Sequence, residues 1–495
     1  MKSLLSLAAV VAVCATGSAA ETTCEKVASI SNLEIEKPLS IPYAQDQRLY
    51  WSSECGRLKP ECILVPRTQD DLSIIIRTLN ENDERFAIKG GGHNPNRNFS
   101  SIDGGPLISL KGFDEISYNE ASGTVRVGAG NRWTDVVKTL EASGVTAVGG
   151  RIGHVGVGGY IVGGGLSYLS TQDGWAMNTV VEFDVVLASG EIVKASSTEN
   201  VDLFNVLRGG GNNFGIVTTY TMKAHKMGKV WGGNLILGSD KTPEILAAVR
   251  DFAEYYPDDK AAIIATHDIT LVDAVDIWLL FLFYDGETPP PGTFDNFTSL
   301  NPILNTAKTQ SYGDLVSAQD GLIITGQIYD MGTEMTPLPS AANPEVLEAY
   351  NAHFERVSEE NKAISGLVAT MALQPIPKRL AKHAKASGGD LLDLDEDADR
   401  LIIEMSFSYN FPSDVPKMEA GLVGLIDSMR EDVLKFTKEG ILSDVQVPLF
   451  MNDAHHSQDY WGRLKPEKRA YAKKIRDVYD PEGLWRDRTA GFKLD

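Results

Sequence analysis

The chain reads as an α+β protein of two lobes, and three features of the sequence carry that reading. Its 495 residues exceed what one ordinary hydrophobic core organises. Glycine is dense between residues 90 and 215 and then thins. From about Val230 to about Ser443, apolar strands alternate with helical stretches and proline-rich loops such as GETPPPGTF. That texture predicts an antiparallel sheet with helices, inserted into the first lobe.

Residues 1–20 have the pattern of a secretory signal. Lys2 opens a short basic start, LLSLAAVVAVCA is the apolar core, and Ser18 and Ala20 suit small-residue cleavage. The core is too short to cross a bilayer, so the mature chain is expected to be soluble, secreted and free of membrane. Cys14 leaves with this segment, and Cys24, Cys55 and Cys62 remain. An oxidising compartment favours one disulfide and one leftover thiol. Cys24 with Cys62 is the preferred pair, because it ties down the new N-terminus, with Cys55 as the alternative partner. Sequons at Asn98 and Asn296 agree with secretion.

The stretch from residue 61, ECILVPRTQDDLSIIIRTLNENDERFAIKGGGH, reads strand, helix, strand. Thr68 and Asp71 have capping-box spacing, and Leu72, Ile75, Ile76 and Leu79 share one helical face. TVRVGAG is a strand entering a glycine turn, followed by a helix from Thr134 to Ala142 with Val136, Val137 and Leu140 inward. VVEFDVVLASGEIVKAS is a hairpin turned at Ser189-Gly190. DIWLLFLFY and RLIIEMSFSY are strands of the second lobe, and Tyr409 and Asn410 at the end of the latter are candidates to line a pocket. A last amphipathic helix, with Tyr471, Ile475 and Val478 on its inner face, stops at YDPEGLW.

A formal charge of -21 argues against a nucleic-acid partner. Common catalytic motifs fail. GAGNRW and GVGGYI carry Trp133 and Ile161 where a dinucleotide fingerprint needs its last glycine. G-x-x-x-x-G-K-[ST], G-x-S-x-G and H-E-x-x-H are absent, and no Cys/His spacing predicts a metal. What remains is three glycine clusters, KGGGHN, VGVGGYIVGGGLS and LRGGGNNFGIVT. Bare backbone lets N–H groups converge on an anion. Three such clusters bordered by apolar strand predict a long polyanionic ligand threaded along the first lobe.

FAIKGGGHNPN, VGVGGYIVGGGLS, NTVVEFDVVLASGEIV and LFNVLRGGGNNFGIVT occur in an order and spacing that resembles the FAD-binding PCMH-type domain of the vanillyl-alcohol oxidase family. The likeness is strongest to fungal berberine-bridge-enzyme-like oxidoreductases, and it continues in QPIPKRLAKHAKASGGDLLDLD and YDPEGLWRDRTAGFKLD. The resemblance implies an FAD lobe of residues 21–229 completed by residues 444–495, with residues 230–443 as a substrate-binding lid. It places FAD against Lys89, Gly90, Gly91, Gly92, His93 and Asn94, against Val155, Gly156, Gly158 and Gly159, against Asn178, and against Gly215, Ile216 and Val217. His93 matches the histidine that many relatives bond covalently to the flavin, and Lys89-Gly90 stands where they usually carry Arg-Ser. A cation and another bare backbone there are expected to keep the chemistry intact.

Other positions depart from the family pattern. Ile152 stands where doubly attached relatives have cysteine, so FAD is expected to be attached once, through His93. Val155 sits at the position thought to gate oxygen, and valine there is typical of oxidases. Relatives often carry Tyr-x-Asn-Tyr in the tail, and this chain has Phe450, Asn452 and Asp453 at the three fixed places. Asp453, His455 and His456 become rival bases, with Asn452 beside them. A histidine titrates near neutrality unaided, whereas an aspartate needs strong desolvation. The resemblance thus implies an FAD oxidase with molecular oxygen as acceptor and a small organic, secondary-metabolite substrate. An oligosaccharide oxidase and a flavin-binding protein without turnover are the alternatives.

Overall fold

Cys62–Val65, Gln69–Glu81 and Ala87–Lys89 form the expected strand, helix and strand. Thr68 accepts from the Asp71 N–H at 3.1 Å and Asp71 returns to the Thr68 N–H at 3.0 Å, closing the capping box. Leu72, Ile75, Ile76 and Leu79 are buried without residual exposure. The computed structural model describes residues 21–256, 258–270, 275–321 and 323–495, so the signal-like segment 1–20 lies outside the described residues.

Two sheets build the first lobe. Cys62–Val65, Pro106–Ser109 and Ala87–Lys89 run parallel, with Glu34–Glu36 added antiparallel at one edge. The second sheet is antiparallel, in the order Ile116–Asn119, Thr124–Gly128, Ile216–Lys223, Val180–Val186, Ile192–Ser196. Its last two strands are the hairpin turned at Ser189-Gly190. The helix expected after TVRVGAG spans Trp133–Glu141 and buries Val136, Val137 and Leu140. A disulfide joins Cys24 to Cys62, and Cys55 remains a buried thiol.

An eight-stranded antiparallel sheet forms the second lobe, its strands drawn from residues 230–409. Alternation sorts its side chains. On the Arg400–Tyr409 strand, Leu401, Ile403, Met405, Phe407 and Tyr409 join a core with the helices Thr242–Tyr255, Glu345–Glu360 and Val415–Lys438. Ile402 and Ala372 instead join the core of the first lobe. Glu404 and Gln374 share that second face, since residues two apart on a strand point the same way.

Alternation places Tyr409 on the helix-facing side, where its hydroxyl donates to Asp330 at 2.7 Å, turned from the face that meets the first lobe. Asn410 is exposed past the strand end and bonds Ser365 at 3.3 Å. The last helix, Pro466–Tyr479, differs too. Its buried residues are Ala472, Ile475 and Arg476, whereas Tyr471 and Val478 are 36% and 62% exposed. Arg476 turns inward because its guanidinium donates to the Leu494 carbonyl, which rotates the buried face away from the apolar stripe.

The tail clamps the edge strand Ile328–Pro337. Gln458 accepts from the Thr333 N–H at 3.2 Å and donates to the Thr333 carbonyl at 2.7 Å, covering a sheet edge. Arg463 donates to Glu334 at 3.0 Å, and that carboxylate has no exposed surface. Replacing Arg463 with Met leaves a buried charge unpaired, so unfolding in denaturant should lose about 3–5 kcal/mol. Glu334→Gln in the same background should recover part of that loss.

Candidate functional site

Two of the glycine clusters meet back to back. A Cβ added to Gly91 would stand 2.4 Å from the Gly156 Cα, and one added to Gly156 would stand 2.4 Å from the Gly91 Cα. No other residue type permits that approach. Gly90 lies 3.4 Å, by the same measure, from the Ala129 carbonyl, and the Gly92 carbonyl accepts from the Trp51 N–H at 3.0 Å. The Gly158 N–H donates to Ala129 at 3.2 Å, and Ala129 to the Thr218 carbonyl at 2.9 Å. These bonds carry the contact on to the start of the strand Ile216–Lys223. Gly215 needs its glycine, because φ is +151° and an added Cβ would meet Val185 at 2.6 Å. Ile216 and Val217 are buried there.

Expected charges are rearranged. The Lys89 ammonium is buried against the Asp46 carboxylate and lies 4.1 Å over the Tyr50 ring, so it supplies no free cation to a phosphate. Arg132, from GAGNRW, is the cation at the loop instead. It donates to the carbonyls of Gly91 at 2.8 Å, Leu49 at 3.1 Å and His154. Its signal in the sequence was hidden in a motif that fails as a dinucleotide fingerprint.

Among the described residues, the N–H groups of Gly91, Gly92, His93 and Asn94 donate to no protein acceptor. Asn94 uses its side-chain oxygen on the Asn96 N–H at 2.9 Å. His93 is half-buried, yet its Nε2 is enclosed without a partner, as are His154 Nδ1 and Tyr160 OH. Three orphaned polar atoms and four open N–H groups along two glycine loops fit a phosphate-bearing, hydrogen-bonding cofactor such as FAD. Trp51 stacks on His93 at 4.5 Å and 16°, and on Tyr329 at 4.1 Å, which fixes the imidazole plane. Burial pushes the His93 pKa down to about 3, with His154 and Arg132 adding to it, so the ring is neutral.

Several expected contacts are structural braces. Asn178 accepts from the Trp175 N–H at 3.0 Å and donates to Asp390 at 2.9 Å, so its side chain is not free for a cofactor. Asn452 accepts from Gly165 at 3.2 Å and donates to the Tyr160 carbonyl at 3.1 Å, shaping the second cluster rather than meeting a substrate. Val155 is half-buried against the first-lobe core, and its carbonyl accepts from Trp133 at 3.1 Å. Gly159 is exposed with nothing within 4 Å of an added Cβ. The third cluster is held by the tail, through Tyr460 to Gly209 at 2.6 Å and Asn212 to Ala490 at 2.8 Å.

Of the rival bases, Asp453 alone joins an acid cluster, half-buried with Glu404 around the buried Gln374. Gln374 Nε2 donates to Asp453 at 3.3 Å and to Glu404 at 3.3 Å, while Arg151 donates to the other end of the same amide. Burial raises both carboxyls; the Glu404 charge raises Asp453 further, and Arg151 opposes both shifts. Glu404, Gln374 and Arg151 went unnoticed in the sequence, although the alternating Glu404, Ser406, Ser408 marks the right face. Arg151 also borders a small recess between the lobes, about the size of one water molecule, with Tyr168, Thr171, Tyr256, Ile263 and Pro375. His455 is buried over Gly332 on the helix-facing side, and burial next to His456 lowers its pKa to about 4. His456 is exposed and bonds Glu419 at 2.8 Å, so neither histidine joins the acid cluster.

A dinucleotide cradle in one lobe, facing a second lobe that carries half-buried acids, is the arrangement of an FAD-dependent oxidoreductase. The FAD binding domain family model matches residues 60–196. An uncharacterised FAD-linked oxidoreductase from Arthroderma benhamiae is 41% identical, covering 93% of each chain. An FAD-dependent monooxygenase from Penicillium terrestre is 33% identical, over 88% of this chain and 81% of that one. The solved structure of berberine bridge enzyme from Eschscholzia californica superposes with a TM-score of 0.75 at 18% identity, covering 95% and 98%. The chain belongs to the FAD-linked oxidoreductases, and it shares the fold of berberine bridge enzyme.

The glycine contact yields a sharp test. Gly91→Ala or Gly156→Ala should abolish flavin retention, read as visible absorbance per protein. Gly228→Ala, where an added Cβ meets nothing within 4 Å, should retain it.

Proposed function

We propose that this protein is a secreted FAD oxidase that dehydrogenates a small organic alcohol, phenol or amine, with one covalent flavin bond through His93 and dioxygen as electron acceptor. The observation that carries the reading is the Asp453–Gln374–Glu404 cluster beside Arg151. Bound FAD supplies hydride acceptance and the return of two electrons to dioxygen, giving hydrogen peroxide. The side chains supply the rest. Desolvation and their mutual repulsion raise the proton affinity of the two half-buried carboxyls that share the Gln374 amide, which suits the pair to accept a proton from a substrate O–H or N–H. Arg151, bonded to the same amide, tunes the pair.

Neutral, plane-locked and without a partner on Nε2, His93 is suited to attachment. Ile152 offers no second bond. Secretion is supported by the signal-like start, by the Cys24–Cys62 disulfide and by the exposure of Asn98 and Asn296. Among the described residues no helix is long and apolar enough to cross a membrane. The Penicillium relative named as a monooxygenase favours a second reading, in which an oxygen atom enters the product. Stoichiometric peroxide with no label from heavy-isotope dioxygen in the product decides for the oxidase.

Acid precipitation should leave flavin on the wild-type protein and release it from His93→Ala; release from both would end the covalent reading. A peroxide-coupled screen across phenols, aromatic alcohols and oligosaccharides identifies the substrate, and silence from flavin-loaded protein on every class would favour a binding protein. Asp453→Asn should lower kcat by about 10²–10⁴-fold. The base works only when deprotonated and its pKa is raised, so the acid limb of the rate profile should lie above the ordinary carboxylate range. Arg151→Met removes a charge that lowers both pKa values, so that limb should move to higher pH.

A further inference from the structure

We propose that Glu419, His455 and His456 bind a divalent transition-metal ion of the zinc type, which clasps the tail to the second lobe. One ring nitrogen of each histidine and one Glu419 carboxylate oxygen lie within 4.8 Å of one another. The His455 and His456 rings stand 4.1 Å apart at 40°. Zinc ligands sit at about 2.0–2.2 Å from the ion, which separates them by roughly 3–3.5 Å. Small side-chain rotations therefore complete the site. Two imidazoles and one carboxylate suit zinc, copper or nickel, while calcium and magnesium prefer oxygen sets.

The ligands are already held. Asn96 bonds the backbone on both sides of His455, donating to the Ala454 carbonyl at 2.9 Å and accepting from the His456 N–H at 2.9 Å. Gln458 accepts from the His455 N–H at 2.9 Å, and Ser457 Oγ sits 2.8 Å from His455 Nδ1, an outer partner that orients the ring. Asp330 and Glu54 add negative charge at the same corner, with Arg97 3.6 Å from Glu54 as a cation near its rim. Exposed His456 and half-buried Glu419 leave the site open to solvent, so water completes the coordination.

Position gives the site its consequence. Glu419 belongs to the helix Val415–Lys438 of the second lobe, while the histidines belong to the tail that also carries Asn452 and Asp453. His455 packs over Gly332 toward that helix, whereas Asp453 reaches Gln374 on the other face of the sheet. An ion here therefore tightens the seam without entering the acid cluster, and the inference is independent of the proposed reaction.

The test uses untagged, flavin-loaded full-length protein freed of metal by chelation. Zinc chloride should bind with a stoichiometry of one in calorimetry and raise the melting temperature, and magnesium or calcium should do neither. Cobalt should give the visible bands of a four- or five-coordinate nitrogen–oxygen site. His456→Ala and Glu419→Gln, with flavin absorbance intact, should each weaken zinc binding at least ~10-fold and remove the thermal shift. Failure of the wild type to bind one equivalent, or unchanged binding in both variants, overturns the site.

Discussion

Contact between the Gly91 and Gly156 main chains is the constraint on which the remaining architecture rests. Two loops 65 residues apart in sequence can only touch at that distance if neither position carries a side chain. On the first loop the N–H groups of Gly91, Gly92, His93 and Asn94 find no protein acceptor among the described residues, whereas Val157 and Gly158 on the second donate to Asn131 and Ala129. A cradle of this kind is expensive for a folded chain, because open donors are costly when buried. It persists because tight hydrogen bonds from Arg132, Ala129 and Tyr220 hold the loops from behind. The cofactor then recovers what the open donors cost.

The lid lobe depends on a second rule, the two-residue period of its strands. One face of the eight-stranded sheet is apolar and packed by helices, and the other meets the first lobe. A residue moved by one position along a strand would pass from the helix-packed face to the face that meets the first lobe. Glu404 and Gln374 fall on the face that meets the tail, and the tail is placed there by Gln458 and by the buried Arg463–Glu334 pair. Closure and the acid cluster thus sit on neighbouring strands, with Glu334 on the edge strand serving closure and Glu404 on Arg400–Tyr409 belonging to the acid cluster.

Much of this was legible without coordinates. Glycine density marked the cradle, the Thr68 capping box fixed a helix start, and the apolar runs DIWLLFLFY and RLIIEMSFSY announced the second sheet. Local rules sufficed there because each signal and its structure share one segment. The errors have the opposite character. Lys89 reads as a phosphate cation until Asp46, 43 residues away, claims it. Asn178 reads as a cofactor ligand until Asp390, 212 residues away, takes its amide. The last helix misleads because a buried arginine occupies what the apolar stripe assigns to tyrosine and valine. Which face of Arg400–Tyr409 meets the flavin lobe is set by the partner layers, and the strand alone gives two equal choices.

The identity of the base shows why partners outrank residue type. On intrinsic pKa alone, His455 and His456 are better placed than any aspartate to take a proton near neutrality. Burial reverses that order. His455 is pressed between a backbone turn and Gly332, which lowers its proton affinity and turns it from the acid cluster. Asp453 meets a second carboxyl across one shared amide, and desolvation, with repulsion from Glu404 added to it, raises its affinity instead. The carboxyls and the imidazole thus shift in opposite directions, toward and away from the proton, although residue type alone ranks them the other way.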